Sequence, residues 1–140
     1  MLGIADENSE NWPQLLVHEA GRRWIDGVRN RLARLPVRVR HSAVARDSLE
    51  IARHERRCMV LAELGLRPLD TLELLAGIDR LGRELTVIVV ARSDQADLEI
   101  PARELGAAVF LTEPLTVAEL VDLVEPIVRS QFGWERKTSS

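Results

Sequence analysis

Glu19, Glu63 and Glu113 each close an apolar run, and His18 directly precedes the first of them. Carboxylates delivered to one place by separate segments are what a hard-cation site needs, because Mg2+ and Ca2+ take oxygen ligands. Left without an ion, converging carboxylates raise one another's pKa. Glu19, Glu63 and Glu113 are therefore metal-ligand candidates for a divalent cation, with simple pairing to Arg67 or Arg92 as the commoner outcome for charges at a surface. His18 is of the right type for general-base work. No nucleophile or orienting partner accompanies it in the sequence, so a histidine satisfied by neighbours is expected. No catalytic residue is assigned.

Cys58 opens the apolar run Cys58-Met59-Val60-Leu61 and is the only cysteine. No disulfide can form within these 140 residues, and a lone cysteine in an apolar run is expected to be a buried structural thiol in a reducing compartment. Trp12 and Trp134 flank the regular elements and could staple the ends down or anchor a partner. Arg53, His54, Arg56 and Arg57, with Arg38 and Arg40, form a basic cluster without interleaved aromatics. A solvated helix end favoured by the helix dipole explains it more simply than direct nucleic-acid binding. His41 and His54 belong to no motif.

The elements that must carry these residues alternate. Apolar runs at 14–18, 58–61, 86–90 and 107–111 read as buried strands, and residues 37–41, alternating apolar and basic, as a strand near the sheet edge. Between them, three- and four-residue spacing of apolar residues predicts helices: from Gly21 to Leu35, ending before Pro36; from about 45 to 57; from Leu69 to Ile78, closed near Gly82; a shorter one over 95–105 containing Pro101; and 116–129, which Pro126 should bend or loosen. The resulting class is α/β, a five-stranded parallel sheet with five helices covering both faces. In such sheets sites form at the carboxyl ends of the strands. Those ends are His18-Glu19, Ala62-Glu63, Ala91-Arg92 and Thr112-Glu113.

On this order of elements, on "CMVLAELGLRPLDTLELL" and above all on "ELGAAVFLTEPLTVAEL", residues 14 to 130 resemble a response-regulator receiver domain of the CheY-like, flavodoxin-like (β/α)5 type. The resemblance implies strand order 2-1-3-4-5. It also implies a degenerate site. The magnesium-holding acidic pair falls on His18 and Glu19, the phosphoacceptor aspartate on Glu63, and the reporter hydroxyl on Ala91. The lysine before the proline falls on Glu113; the aromatic switch position is kept as Phe110.

These departures are of a kind that removes aspartyl phosphorylation. A phosphoryl group needs a cation to neutralise it, and two unit charges about 4 Å apart exchange about 4 kcal/mol at an effective dielectric near 20, so an acid in place of lysine reverses a large term. Glu63 also carries its carboxylate one methylene further out than aspartate would, and could in principle imitate the phosphorylated state. The missing hydroxyl at Ala91 counts against that. The expectation is a stand-alone pseudo-receiver, not an enzyme, that acts in signal transduction by protein–protein contact. The family's dimerisation and output face falls on residues 97–129. The alternative is a receiver-like domain regulated by a divalent cation, or another ligand, at Glu19, Glu63 and Glu113. A flavin-binding flavodoxin is disfavoured because "HEAGRRW", after the first strand, offers one glycine and no hydroxyl for a phosphate.

The totals agree with a single domain. The 140 residues carry net charge −3 and are 46% hydrophobic and 29% charged, an ordinary globular composition without disulfides or low complexity. The acidic balance argues against a dominant nucleic-acid surface. No apolar run is long enough to cross a bilayer, and the polar, acidic start is not a signal peptide, so a cytoplasmic location is expected. Residues 1–12 read as a flexible extension, 13–130 as the domain and 131–140 as a frayed polar tail.

Overall fold

A computed structural model of the chain describes residues 11–133. Trp134, one of the two flanking tryptophans, lies outside the described residues. Five parallel strands, β1 (Gln14–His18), β2 (Arg38–Ser42), β3 (Cys58–Glu63), β4 (Thr86–Ala91) and β5 (Val109–Thr112), form one sheet in the order β2-β1-β3-β4-β5. The helices are α1 (Ile25–Arg31), α2 (Ala45–His54), α3 (Pro68–Arg80), α4 (Glu99–Glu104) and α5 (Val117–Gln131). The expected fold class and strand order are those observed.

Strand periodicity divides the core into two layers. Leu15, Val17, Met59, Leu61, Ile88 and Val90 face α1 and α5, meeting Trp24, Val28, Leu120, Val124 and Val128. Their alternates Leu16, Val60, Ala62, Val87, Val89 and Ala91 face the other side, against Ala52, Leu74, Leu75, Ile78 and Ala102. Successive side chains point to opposite faces, so the residue at each strand end inherits a side from its place in the alternation.

Element ends depart from expectation for local reasons. α1 stops at Arg31 rather than Leu35: the chain turns through Leu32 to Leu35, and Val37 N–H donates to the Leu35 carbonyl, because the residue before Pro36 is excluded from helical backbone. α2 ends at His54, where Glu55 becomes extended. The fourth helical segment is split into a tighter turn over Ser93–Leu98 followed by α4, and Pro101 falls in the first turns of α4, where its missing N–H costs little. β5 starts at Val109, two residues later than expected. α5 runs through Pro126 to Gln131, and Phe132, expected in a frayed tail, is buried in the α1/α5 layer. None of the helices among the described residues is long and apolar enough to cross a membrane.

Candidate functional site

Alternation decides what meets at the carboxyl edge of the sheet. Glu63 follows Leu61 in phase and Glu113 follows Val109 and Leu111, so both lean toward the α1/α5 layer. His18 follows Leu16 in phase and turns to the opposite layer, against α2 and α3. The candidate residues therefore belong to two separate constellations.

The first is built around Glu63. The Trp24 indole N–H donates to Glu63 Oε2 at 2.7 Å. On the other side the backbone of Gly65, at φ +51°, comes so near that a Cβ there would stand 2.7 Å from Glu63 Oε1. The loop holding this carboxylate is fixed by its own bonds: Thr71 Oγ1 donates to the Glu63 carbonyl and Gln95 Nε2 to the Gly65 carbonyl. The longer side chain is thus accommodated between an indole and a glycine. Burial raises the pKa of Glu63; the Trp24 bond opposes that rise, and the charges of Glu19 and Glu113 add to it.

Glu113, in a cis Glu113–Pro114 step, is paired with Arg23. The same guanidinium donates to the Leu115 carbonyl at 2.9 Å and stacks over the Trp24 ring, 4.1 Å from its centroid. The pairing expected with Arg67 or Arg92 is not what forms. Arg92 is turned to Asp94 through two bonds, at 2.9 and 3.1 Å, and the cation at Glu113 comes instead from the segment preceding α1. Arg23, Arg92, Ser93, Asp94, Glu113 and Pro114 line an open cleft above this pair.

Glu19 is fully buried and serves α1. Its carboxylate accepts the Trp24 N–H at 3.1 Å and the Ile25 N–H at 2.8 Å, satisfying donors that the first turn leaves open. Glu19, Glu63 and Glu113 are therefore near enough to influence one another yet each is held by its own donor. Among the described residues no group of three His, Cys, Asp or Glu could hold a metal ion. In this arrangement backbone N–H, indole and guanidinium each hold one of the three carboxylates.

The second constellation is a buried tie between β1, α2 and α3. His18 Nδ1 lies 2.6 Å from Ser48 Oγ, and Nε2 lies 3.3 Å from Asp70 Oδ2. Asp70 in turn accepts the Ala45 N–H at the start of α2. Burial lowers the His18 pKa against the opposing attraction of Asp70. The neutral ring then accepts from Ser48 and donates to Asp70. A Ser–His–Asp chain can activate a hydroxyl, but Ser48 is wholly buried on α2 and reaches no substrate. Sequence reasoning missed both partners because they lie far along the chain on helices whose apolar spacing hides them.

Ala91 is fully buried in the α2–α4 layer, and Phe110 is half-buried against the same layer. Cys58 is buried and its thiol is pushed up to about 12 by burial. The residues missed at the first constellation are Arg23 and Trp24. Trp24 was legible only as one apolar position of a helix; its indole N–H, which must find an acceptor when buried, was the available signal.

By sequence the chain matches no family model and no curated protein. By structure it is similar to the CheY-like response regulator receiver domain protein of Methanospirillum hungatei JF-1, at 17% identity and TM-score 0.71, over 89% of this chain and 99% of that one. It is similar also to the signal receiver domain of a putative Luxo repressor protein from Vibrio parahaemolyticus (18%, 0.71, 86% and 93%). The response regulator receiver protein of Pseudoalteromonas atlantica aligns at 23% identity and TM-score 0.67, over 84% and 98%. The chain has the receiver fold. The receiver's carboxyl edge is thus the edge at which Trp24, Arg23, Glu63 and Glu113 meet.

Proposed function

We propose that the chain is a receiver-type signalling module of a two-component pathway that works by protein–protein contact and without phosphorylation at position 63. The observation that carries this is the closure of the Glu63 carboxylate between the Trp24 indole and Gly65, with Glu113 and Arg23 paired beside it. A phosphoryl group arriving there would meet an acid where neutralisation is needed, and the neighbouring guanidinium is already engaged. The acid after β5 is thus answered by a base from the segment before α1.

The contact face is residues 97–129, where Ile100 is 71% and Leu123 46% exposed. Isolated apolar side chains on a surface are ordinary; two on the face the fold family uses for assembly support an interface with a protein partner or a second copy. Incubation with acetyl phosphate and magnesium followed by intact-mass measurement tests the loss of chemistry. No added phosphoryl mass is expected. A phosphoryl adduct that disappears in Glu63→Ala overturns the proposal.

A further inference from the structure

At the opposite, amino end of the sheet the fold brings Trp12 to the basic cluster that in sequence lacks an aromatic. Asn11, Trp12, His54, Glu55, Arg56 and Arg57 line a groove of about 470 Å³. A second depression of about 300 Å³ shares His54, Glu55 and Arg56 and adds Arg53 and Arg83. We propose that the groove and the depression beside it together bind a nucleotide, with the base against Trp12 and the phosphates on Arg53, Arg56 and Arg57.

The charges around the groove are arranged for an anion. His54 is taken by Glu50 at 2.8 Å, and Glu55 lies 3.8 Å from Arg40. Arg83 donates to the carbonyls of Ala52, Arg53, Glu55 and Arg56, neutralising the negative end of α2 that would otherwise repel a phosphate. Arg57 is positioned by the Phe132 carbonyl at 3.1 Å and the Phe132 ring. The Arg53 and Arg56 guanidiniums have no hydrogen bond or ion pair among the described residues. Trp12 is half-buried, and its carbonyl is tied by Gln14 Nε2, which fixes the backbone that carries the indole.

Guanidinium groups suit phosphate and an indole suits a base, since stacking is available to every base. The size falls in the range of small-molecule sites, about 300–1,000 Å³. The cations form one cluster rather than a track, and the chain is acidic overall, which favours a single nucleotide over a strand. The site lies at the other end of the strands from Glu63 and does not depend on the function proposed above.

Calorimetric titration of the full chain with ADP, GDP and UDP, with pyrophosphate and adenosine as separate arms, tests it. At least one nucleoside diphosphate should bind. Arg53→Glu/Arg56→Glu should weaken it by about tenfold or more, as each cation pairs with phosphate. Trp12→Ala should weaken the nucleotide but leave pyrophosphate unchanged, and Arg23→Ala, at the far end, should change neither. The proposal is overturned if none of the diphosphates binds, or if binding survives the double arginine variant with its fold intact by circular dichroism. It is overturned equally if Trp12→Ala weakens pyrophosphate as much as nucleotide, or if a single-stranded oligonucleotide binds more tightly than any mononucleotide.

Discussion

Trp24 and Glu63 meet across 39 residues of chain, the indole N–H on the carboxylate at 2.7 Å. This bond closes over the carboxylate at the carboxyl end of β3, so it should contribute to stability. Trp24→Phe keeps the apolar bulk and removes the donor. A half-buried carboxylate then loses its bond, and unfolding free energy should fall by about 1–3 kcal/mol. Glu63→Gln keeps an acceptor for the indole while removing the repulsion from Glu19 and Glu113, so it should be as stable as the parent at neutral pH, or more so. Urea denaturation of both variants gives the comparison; a Glu63→Gln protein less stable than Trp24→Phe would show the bond to be incidental.

The pKa shifts of Glu63 and His18 give opposite pH signatures. Glu63 is raised by burial, so the folded state binds its proton more readily than the unfolded state. Its contribution is fully present below the unfolded value of about 4.3 and is lost as pH rises through the folded value. His18 is lowered by burial and faces Asp70 and Ser48, with the charges of Arg67 and His41 beyond. The folded state releases its proton first, so stability is full above the unfolded value of about 6.5 and falls with acid below it. Glu63→Gln should therefore steepen the net loss of stability on acidification, and His18→Gln should lessen it. Unfolding midpoints measured between pH 4 and 8 check this: a Glu63→Gln profile that flattens, or a His18→Gln profile that steepens, would contradict the assignment for that residue.

The fold was legible because four apolar runs and one alternating strand are interleaved with helical spacing, and β4, rich in β-branched residues, cannot be mistaken for a helix. The site was legible only as positions. Glu63 and Glu113 were found because strand ends in a parallel sheet share an edge. Alternation along β1 could have separated His18 from them, since His18 is in phase with Leu16 and Glu63 with Leu61 on opposite layers. Arg23 was not legible as a partner: it precedes α1 in "GRRWIDG", and which of Arg22 and Arg23 turns to Glu113 depends on where the helix begins. Arg22 in fact pairs with Asp26 in the first turn of α1. Phe132 was missed because a tail of mixed polarity gives no periodicity, although one aromatic after a helix is enough to bury its end.

Arg23 and Glu113 form a pair that should tolerate exchange. Arg23 is about half exposed and Glu113 less so, and such pairs contribute up to about 1 kcal/mol. Glu113→Lys sets two cations together beside the Trp24 ring and should lose about that much. Arg23→Glu places an acid among Glu19, Glu63 and Glu113 and should lose more. The double variant Arg23→Glu/Glu113→Lys should recover part of both losses, giving a favourable coupling in a double-mutant cycle. Additive losses would mean that the two side chains do not interact in solution.

The whole arrangement depends on how closely α1 approaches α5, since α1 carries Trp24 to Glu63. Gly27 marks that approach: a Cβ built on it would collide with Val117 Cγ1 at the start of α5. Gly27→Ala would normally favour a helix by up to about 1 kcal/mol, but here the added methyl has to displace α1 or Val117. Overpacking of this kind costs about 1–3 kcal/mol, so a net loss of stability is expected. Gly27→Ala/Val117→Ala removes the obstruction and should recover much of the loss beyond the cost of Val117→Ala alone. The same displacement should loosen the Trp24–Glu63 bond, read as a red shift and stronger quenching of Trp24 fluorescence in a Trp12→Phe/Trp134→Phe background. A Gly27→Ala protein with unchanged Trp24 emission and parent stability would place the two helices further apart than the structure has them.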